Sequence, residues 1–121
     1  MEQTLNINIK LPNLNDWVNA MNRNRYAGHE MKKKNQQAIV WMIKAQKLQR
    51  VKRPVHIRYM WHEKTERRDK DNVSAFGRKV INDALQERKI LPDDNNEWIR
   101  SITEVWDYGQ TQGVTVTITE L

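Results

Sequence analysis

The stretch "LNINIK" alternates, with Leu5, Ile7 and Ile9 on one face, and Pro12 closes it, which predicts a half-buried strand. From Asn13 to Gly28 asparagine and arginine dominate without a steady period, and the segment reads as an ordered, basic loop in which "DWVNAM" can form one helical turn. A helix is predicted from Glu30 to Val51, lysine-rich in its first half and apolar in the middle. Its apolar positions form two groups, Ile39 and Ile43 on one side and Ala38, Trp41, Ala45 and Leu48 on another. That is wider than the roughly 100° stripe one core face needs, so a second contact, with another subunit, is expected there.

Alternation returns after Pro54, where Val55, Ile57, Tyr59 and Trp61 oppose His56, Arg58, Met60 and His62 in a second strand. Val73, Phe76, Val80, Ile81, Ala84 and Leu85 then recur at helical spacing between Asn72 and Arg88. "LPDDNNEW" has the composition of a turn, and "WIRSITEVW" and "GVTVTITEL" predict two closing strands joined as a hairpin through "DYGQTQG". The expected fold is therefore a single α+β domain, residues 1–121, with two main helices, a small mixed sheet and the order β-α-β-α-β-β.

Charge and composition narrow the function. The 21 Lys and Arg outnumber the 15 Asp and Glu, leaving a formal net charge of +6 and favouring phosphate-rich partners. No cysteine is present, which excludes disulfides and thiolate metal sites and fits a cytoplasm. The longest apolar run, Ala38 to Ile43, falls far short of the roughly 18 residues a membrane span requires, and "MEQTLNINIK" lacks a signal-peptide layout, so no membrane partner is expected. His29, His56 and His62 show no zinc-type spacing.

Against this basic background "ERRDKDNVSAF" sets Asp69 two positions from Asp71. If the stretch is extended, both carboxylates point the same way, and Asp93 or Asp94 from the later turn can join them. Such hard oxygen ligands suit Mg²⁺, which keeps several waters, bridges to phosphate and activates water for phosphodiester hydrolysis. A plainer reading stands beside it: Asp71 or Asn72 caps the following helix, Asp93 and Asp94 form a turn, and Asp69 pairs with Arg67 or Arg68 on the surface. Arg23, Arg25, Lys32, Lys33, Lys34, Arg67, Arg68 and Lys70 can track phosphates, although the Lys32–Lys34 run also fits a solvated helix face. Trp41 and Trp61 occupy core-like positions, whereas Trp17 can either pack or stack on an unpaired base.

"RRDKDNVSAFGRKVINDAL" with its later Asp-Asp resembles the RusA-type Holliday junction resolvases, phage-associated endonucleases with the pattern Arg-Asp-x-Asp-Asn, a helix ending Asp-Ala-Leu, and a following Asp-Asp. The resemblance extends to the order of elements across nearly the whole chain. It implies a homodimer in a bacterial cytoplasm that binds four-way DNA junctions and makes paired symmetric nicks with Mg²⁺ or Mn²⁺. By position it implies Asp69, Asp71 and Asp94 as metal ligands, with Asp93 the weaker candidate. The pattern's lysine, four residues after the second aspartate, is replaced here by Ala75. Counting back from Asp83 instead places Lys79 at the equivalent position, with Lys70 and Arg78 as alternatives. Two other functions stay open: a non-catalytic nucleic-acid-binding module, and a flap- or fork-type nuclease.

Overall fold

A computed structural model describes all residues from Met1 to Leu121. The elements are β1 (Glu2–Ile7), α1 (Leu14–Arg23), α2 (Arg25–Ala45), β2 (Val55–Glu63), α3 (Lys70–Glu87), β3 (Ile99–Tyr108) and β4 (Gly113–Glu120). They form one four-stranded mixed sheet in the order β1-β4-β2-β3, with three helices, so the α+β domain expected from the sequence is present.

Two predicted elements differ. The Asn13–Gly28 segment is helical rather than a loop: Asn13 and Asp16 form a reciprocal capping box that starts α1. Asn24 then ends α1 in an extended conformation and caps α2 through its side chain, so one residue separates the two helices. Leu14, Trp17, Ala20 and Met21 form its inward face at helical spacing, a short signal set among asparagines and arginines that favour loops. At its other end α2 stops at Ala45 instead of running to Val51, because Lys47 enters the left-handed region (φ 57°). Leu48 there donates its N–H back to the Ile43 carbonyl. Glycine usually marks such a stop, and a lysine gives no signal in the sequence.

The closing strands are correctly located but are not a hairpin. β3 runs parallel to β2, β4 runs antiparallel to β2 and β1, and β2 lies between them. β2 is buried at every second position from Val55 to Glu63, and with Leu5, Ile7, Val114, Val116 and Ile118 it supplies the sheet side of the core. Ile39 and Ile43 of α2 and the apolar stripe of α3 supply the other side. Trp61 is fully buried, as its position implies, and stacks between Tyr59 and Trp106. Trp41 departs from its core-like assignment: it is 65% exposed on α2, with the Lys44 ammonium 5.4 Å over its ring. No helix is long and apolar enough to cross a membrane.

Candidate active site

The local structure around "RRDKDN" follows from Asp69. Its backbone is extended (φ −66°, ψ 127°), and its Oδ1 accepts hydrogen bonds from the N–H groups of Asp71 (2.9 Å) and Asn72 (3.4 Å). Asp69 is thus the N-cap of α3, a role expected for Asp71 or Asn72 instead. Asp71 lies inside the first helical turn, where its charge complements the positive end of the helix. The two side chains consequently share a site through a helix start, not through the alternation of a strand. Together with Glu66, Arg68, Lys70 and Tyr108 they line a shallow depression of about 590 Å³. The second oxygen of Asp69 and both oxygens of Asp71 accept no hydrogen bond within the protein and face solvent.

Asp94 is not brought to the same point. It lies in the α3–β3 connection, where its N–H donates to Asp93 Oδ1 (2.7 Å), and Asn95 donates to the other oxygen of Asp93 (3.2 Å). The Asx turn of this connection is at Asn95, whose Oδ1 accepts from the Glu97 N–H at 3.0 Å. No group of three acidic or histidine side chains comes within metal-coordinating reach. What the donor set offers is two carboxylates, and Mg²⁺ is commonly held by one or two carboxylates completed by water and substrate phosphate.

The basic candidates divide sharply. Lys70 lines the depression, and its ammonium rests 5.8 Å over the Trp106 ring. Lys79 is exposed and unpaired, eight residues past Asp71 and so about 12 Å along the helix axis. Asp83, one turn beyond it, binds Lys32 at 2.8 Å. Arg78 shares the helical face of Asp71, two turns on, and pairs with Glu104 of β3 at 3.2 Å. Arg68 is a structural residue: its Nη2 donates to the Leu11 carbonyl (2.8 Å), and its Nε lies 3.3 Å from the buried carboxylate of Glu63. Arg23, Arg25, Lys33, Lys34 and Arg67 are exposed. Trp17 is not available for stacking, because its indole N–H donates to the Gly28 carbonyl and its ring packs 5.7 Å from Phe76.

Between α3 and β3 runs a polar seam the sequence did not reveal. The buried Tyr59 hydroxyl donates to Asn82 Oδ1 (2.7 Å). Burial pushes this phenol up to about 12, against the opposing pull of the Asn82 hydrogen bond and the Arg78 charge, while the Glu104 and Asp94 charges raise it further. Glu63 had one legible signal: it continues the inward phase of Val55, Ile57, Tyr59 and Trp61, and an acid in that phase calls for a cation. His56 and His62 lie on the opposite, helix-free face of the sheet, bonded to Ser101 and to Asp107 and Thr115.

The chain matches no protein-family model and no curated protein.

Proposed function

We propose that this protein is a divalent-metal-dependent, structure-selective DNA endonuclease acting on four-way junctions, with the rim formed by Asp69 and Asp71 as its metal site. One observation carries the reading: in a chain of net charge +6, two carboxylates with solvent-facing oxygens share one open depression with Lys70. Asp69, through the oxygen not engaged in capping, and Asp71 would hold Mg²⁺ or Mn²⁺, which supplies an activated water and neutralises phosphate charge when bound. The chain's own contributions are separable. The α3 cap fixes the two carboxylates relative to each other, and Lys70 offers a cation at the rim for a phosphate oxygen. Asp94, in the α3–β3 turn and outside the depression, is the weakest of the three ligands that the RusA-type resemblance implies. Lys70 stands at the rim while Lys79 is about 12 Å further along the helix axis, which supports giving Lys70 the basic role.

The test is a gel assay on a synthetic four-way junction with Mg²⁺, comparing the wild type with Asp71→Asn, Lys70→Ala and Lys79→Ala. Paired nicking by the wild type, lost in Asp71→Asn with junction binding retained, supports the reading. A wild type that binds and never cuts with any divalent metal overturns it in favour of a non-catalytic nucleic-acid-binding module. The cap role of Asp69 is the observation that favours that second reading.

A further inference from the structure

Every residue lining the depression at the start of α3 is charged except Tyr108. Its ring is there because of how β3 ends. Trp106 and Tyr108 lie two residues apart and share one face of the strand, the face turned towards the helices, where Trp106 stacks on the buried Trp61. Tyr108 is the last residue of β3 and pairs in register with Glu63, the last of β2, so it stands just past the end of the apolar core. β3 is also the edge strand, and Tyr108 remains 36% exposed. Beside it Lys70 borders the same depression, with its ammonium 5.8 Å over the Trp106 ring. The other strongly exposed aromatic residues, Tyr26 and Trp41, lie on α2 and do not line the depression. Charged side chains account for a bound phosphate and its counterion, but they leave an exposed ring among them unexplained.

We propose that Tyr108 selects the DNA that enters the site: its ring stacks on an unpaired base flanking the bound phosphate, so that branched or gapped DNA is preferred over continuous duplex. The proposal rests on the endonuclease reading for its nucleic-acid partner and adds the structural feature of the substrate that this site recognises. The argument is one of access. In a continuous duplex each base face is covered by its neighbours, and a ring beside the backbone can reach one only after the stack is broken, at a cost that is least where the base is already unpaired. A branch point or a gap offers such a base. Contacts from Lys70 and its charged neighbours go to the backbone, which is the same in every DNA, so they position the strand without distinguishing one structure from another. Discrimination falls to the one group that can address a base. Stacking on an aromatic ring tolerates any base, because each has a π face, so the selection is for structure and not for sequence. The depression, about 590 Å³, is of the size that holds small organic ligands, which gives a single base room beside the ring. Trp17, the other candidate for stacking, is held against Phe76 and cannot serve.

Fluorescence anisotropy tests the selection by binding alone, with Ca²⁺ in place of Mg²⁺ and gels verifying that the DNA stays intact. The probes are a continuous duplex, the same duplex with a short single-stranded gap, and a synthetic four-way junction. The wild type is expected to bind the gapped duplex and the junction more tightly than the continuous duplex. Tyr108→Ala should weaken binding to those two roughly tenfold or more and leave continuous-duplex binding within about twofold. Tyr108→Phe and Tyr108→Trp should keep the preference, Tyr108→Leu should lose it, and Tyr26→Ala, outside the depression, should not change it. Circular dichroism verifies that each variant is folded. A wild type with no preference, a Tyr108→Ala that weakens all three probes equally, or a Tyr108→Leu that binds like the wild type would overturn the inference, the last because bulk and not stacking would then suffice. The two readings fail separately. A protein that never cuts and still shows the Tyr108-dependent preference loses the nuclease reading and keeps this one, whereas one that cuts and keeps its preference in Tyr108→Ala loses only this one. A wild type that binds none of the probes overturns both.

Discussion

In the proposed metal site Asp69 would do two jobs with two oxygens, and substitutions can take them apart. Asp69→Ala removes the acceptor that satisfies the N–H groups of Asp71 and Asn72, which costs about 1 kcal/mol for an N-cap, whereas Asp69→Asn keeps an oxygen of nearly equal capping ability and loses the charge. For a domain of this size 1 kcal/mol is roughly 3–5 °C in Tm. A metal bound only by the native state adds RT ln(1 + [L]/Kd), about 1.4 kcal/mol when Mg²⁺ stands at ten times its Kd, which is a rise of about 5 °C. Melting followed by circular dichroism, with EDTA and with Mg²⁺, should then sort four proteins. The wild type rises with metal. Asp69→Asn and Asp71→Asn melt within about 2 °C of it in EDTA, since only a screened interaction with the helix end is lost, and do not rise with Mg²⁺. Asp69→Ala melts lower in both. If both asparagine variants keep the full metal-dependent rise, the two carboxylates hold no ion and their proximity is a by-product of capping.

Further predictions concern the scaffold. In Gly77→Ala the new Cβ would sit 2.6 Å from the Trp61 ring, which is fixed between Tyr59 and Trp106, so overpacking of about 1–3 kcal/mol should exceed the ~1 kcal/mol gained in helix propensity and lower the urea midpoint. Arg68→Ala strips the buried Glu63 of its cation and should cost about 3–5 kcal/mol, with Glu63→Gln in the same background recovering part of it. Tyr59 titrates near 10 when unfolded and about 12 when folded, so its contribution is intact below pH 10 and is lost as pH rises towards 12. The loss is about 2–3 kcal/mol, and Tyr59→Phe should show a flatter stability profile over that range. Lys47→Gly relieves a left-handed residue at the end of α2 and should stabilise the fold by about 0.5–1 kcal/mol in the same urea titration.

How much of this was legible in the sequence depended on whether an element buries one clean face. β2 and α3 do, and their alternation and helical spacing located them to within two residues. α1 carries its period, Leu14, Trp17, Val18 and Met21, over only ten residues among asparagines that also favour turns and caps, so its composition read as a loop. Strand pairing was illegible for a different reason. A short connection between two strands predicts a hairpin, but β2 is paired along both its edges, and the βαβ crossover through α3 places β3 on one edge while β4 closes the other.

The same distinction explains the candidate site. "RRDKDN" was visible as a constellation because acids are conspicuous in a basic chain, yet which of its residues face solvent depends on what the rest of the fold requires. Glu63 needs a cation, and Arg68 supplies it, which removes from the candidate phosphate-binding residues the arginine that looked best placed among them. Asp83 takes Lys32 in the same way. Once these pairs are made, the groups left at the start of α3 are Asp69, Lys70 and Asp71, three consecutive residues whose relative geometry is set by one cap. A site built this way has little tolerance for loss of the cap and none for insertion between its members. An alanine inserted after Asp69 should therefore abolish nicking while leaving the melting temperature near that of Asp69→Ala, whereas the same insertion after Asn95, in the exposed α3–β3 turn, should leave nicking intact if Asp94 is not a ligand.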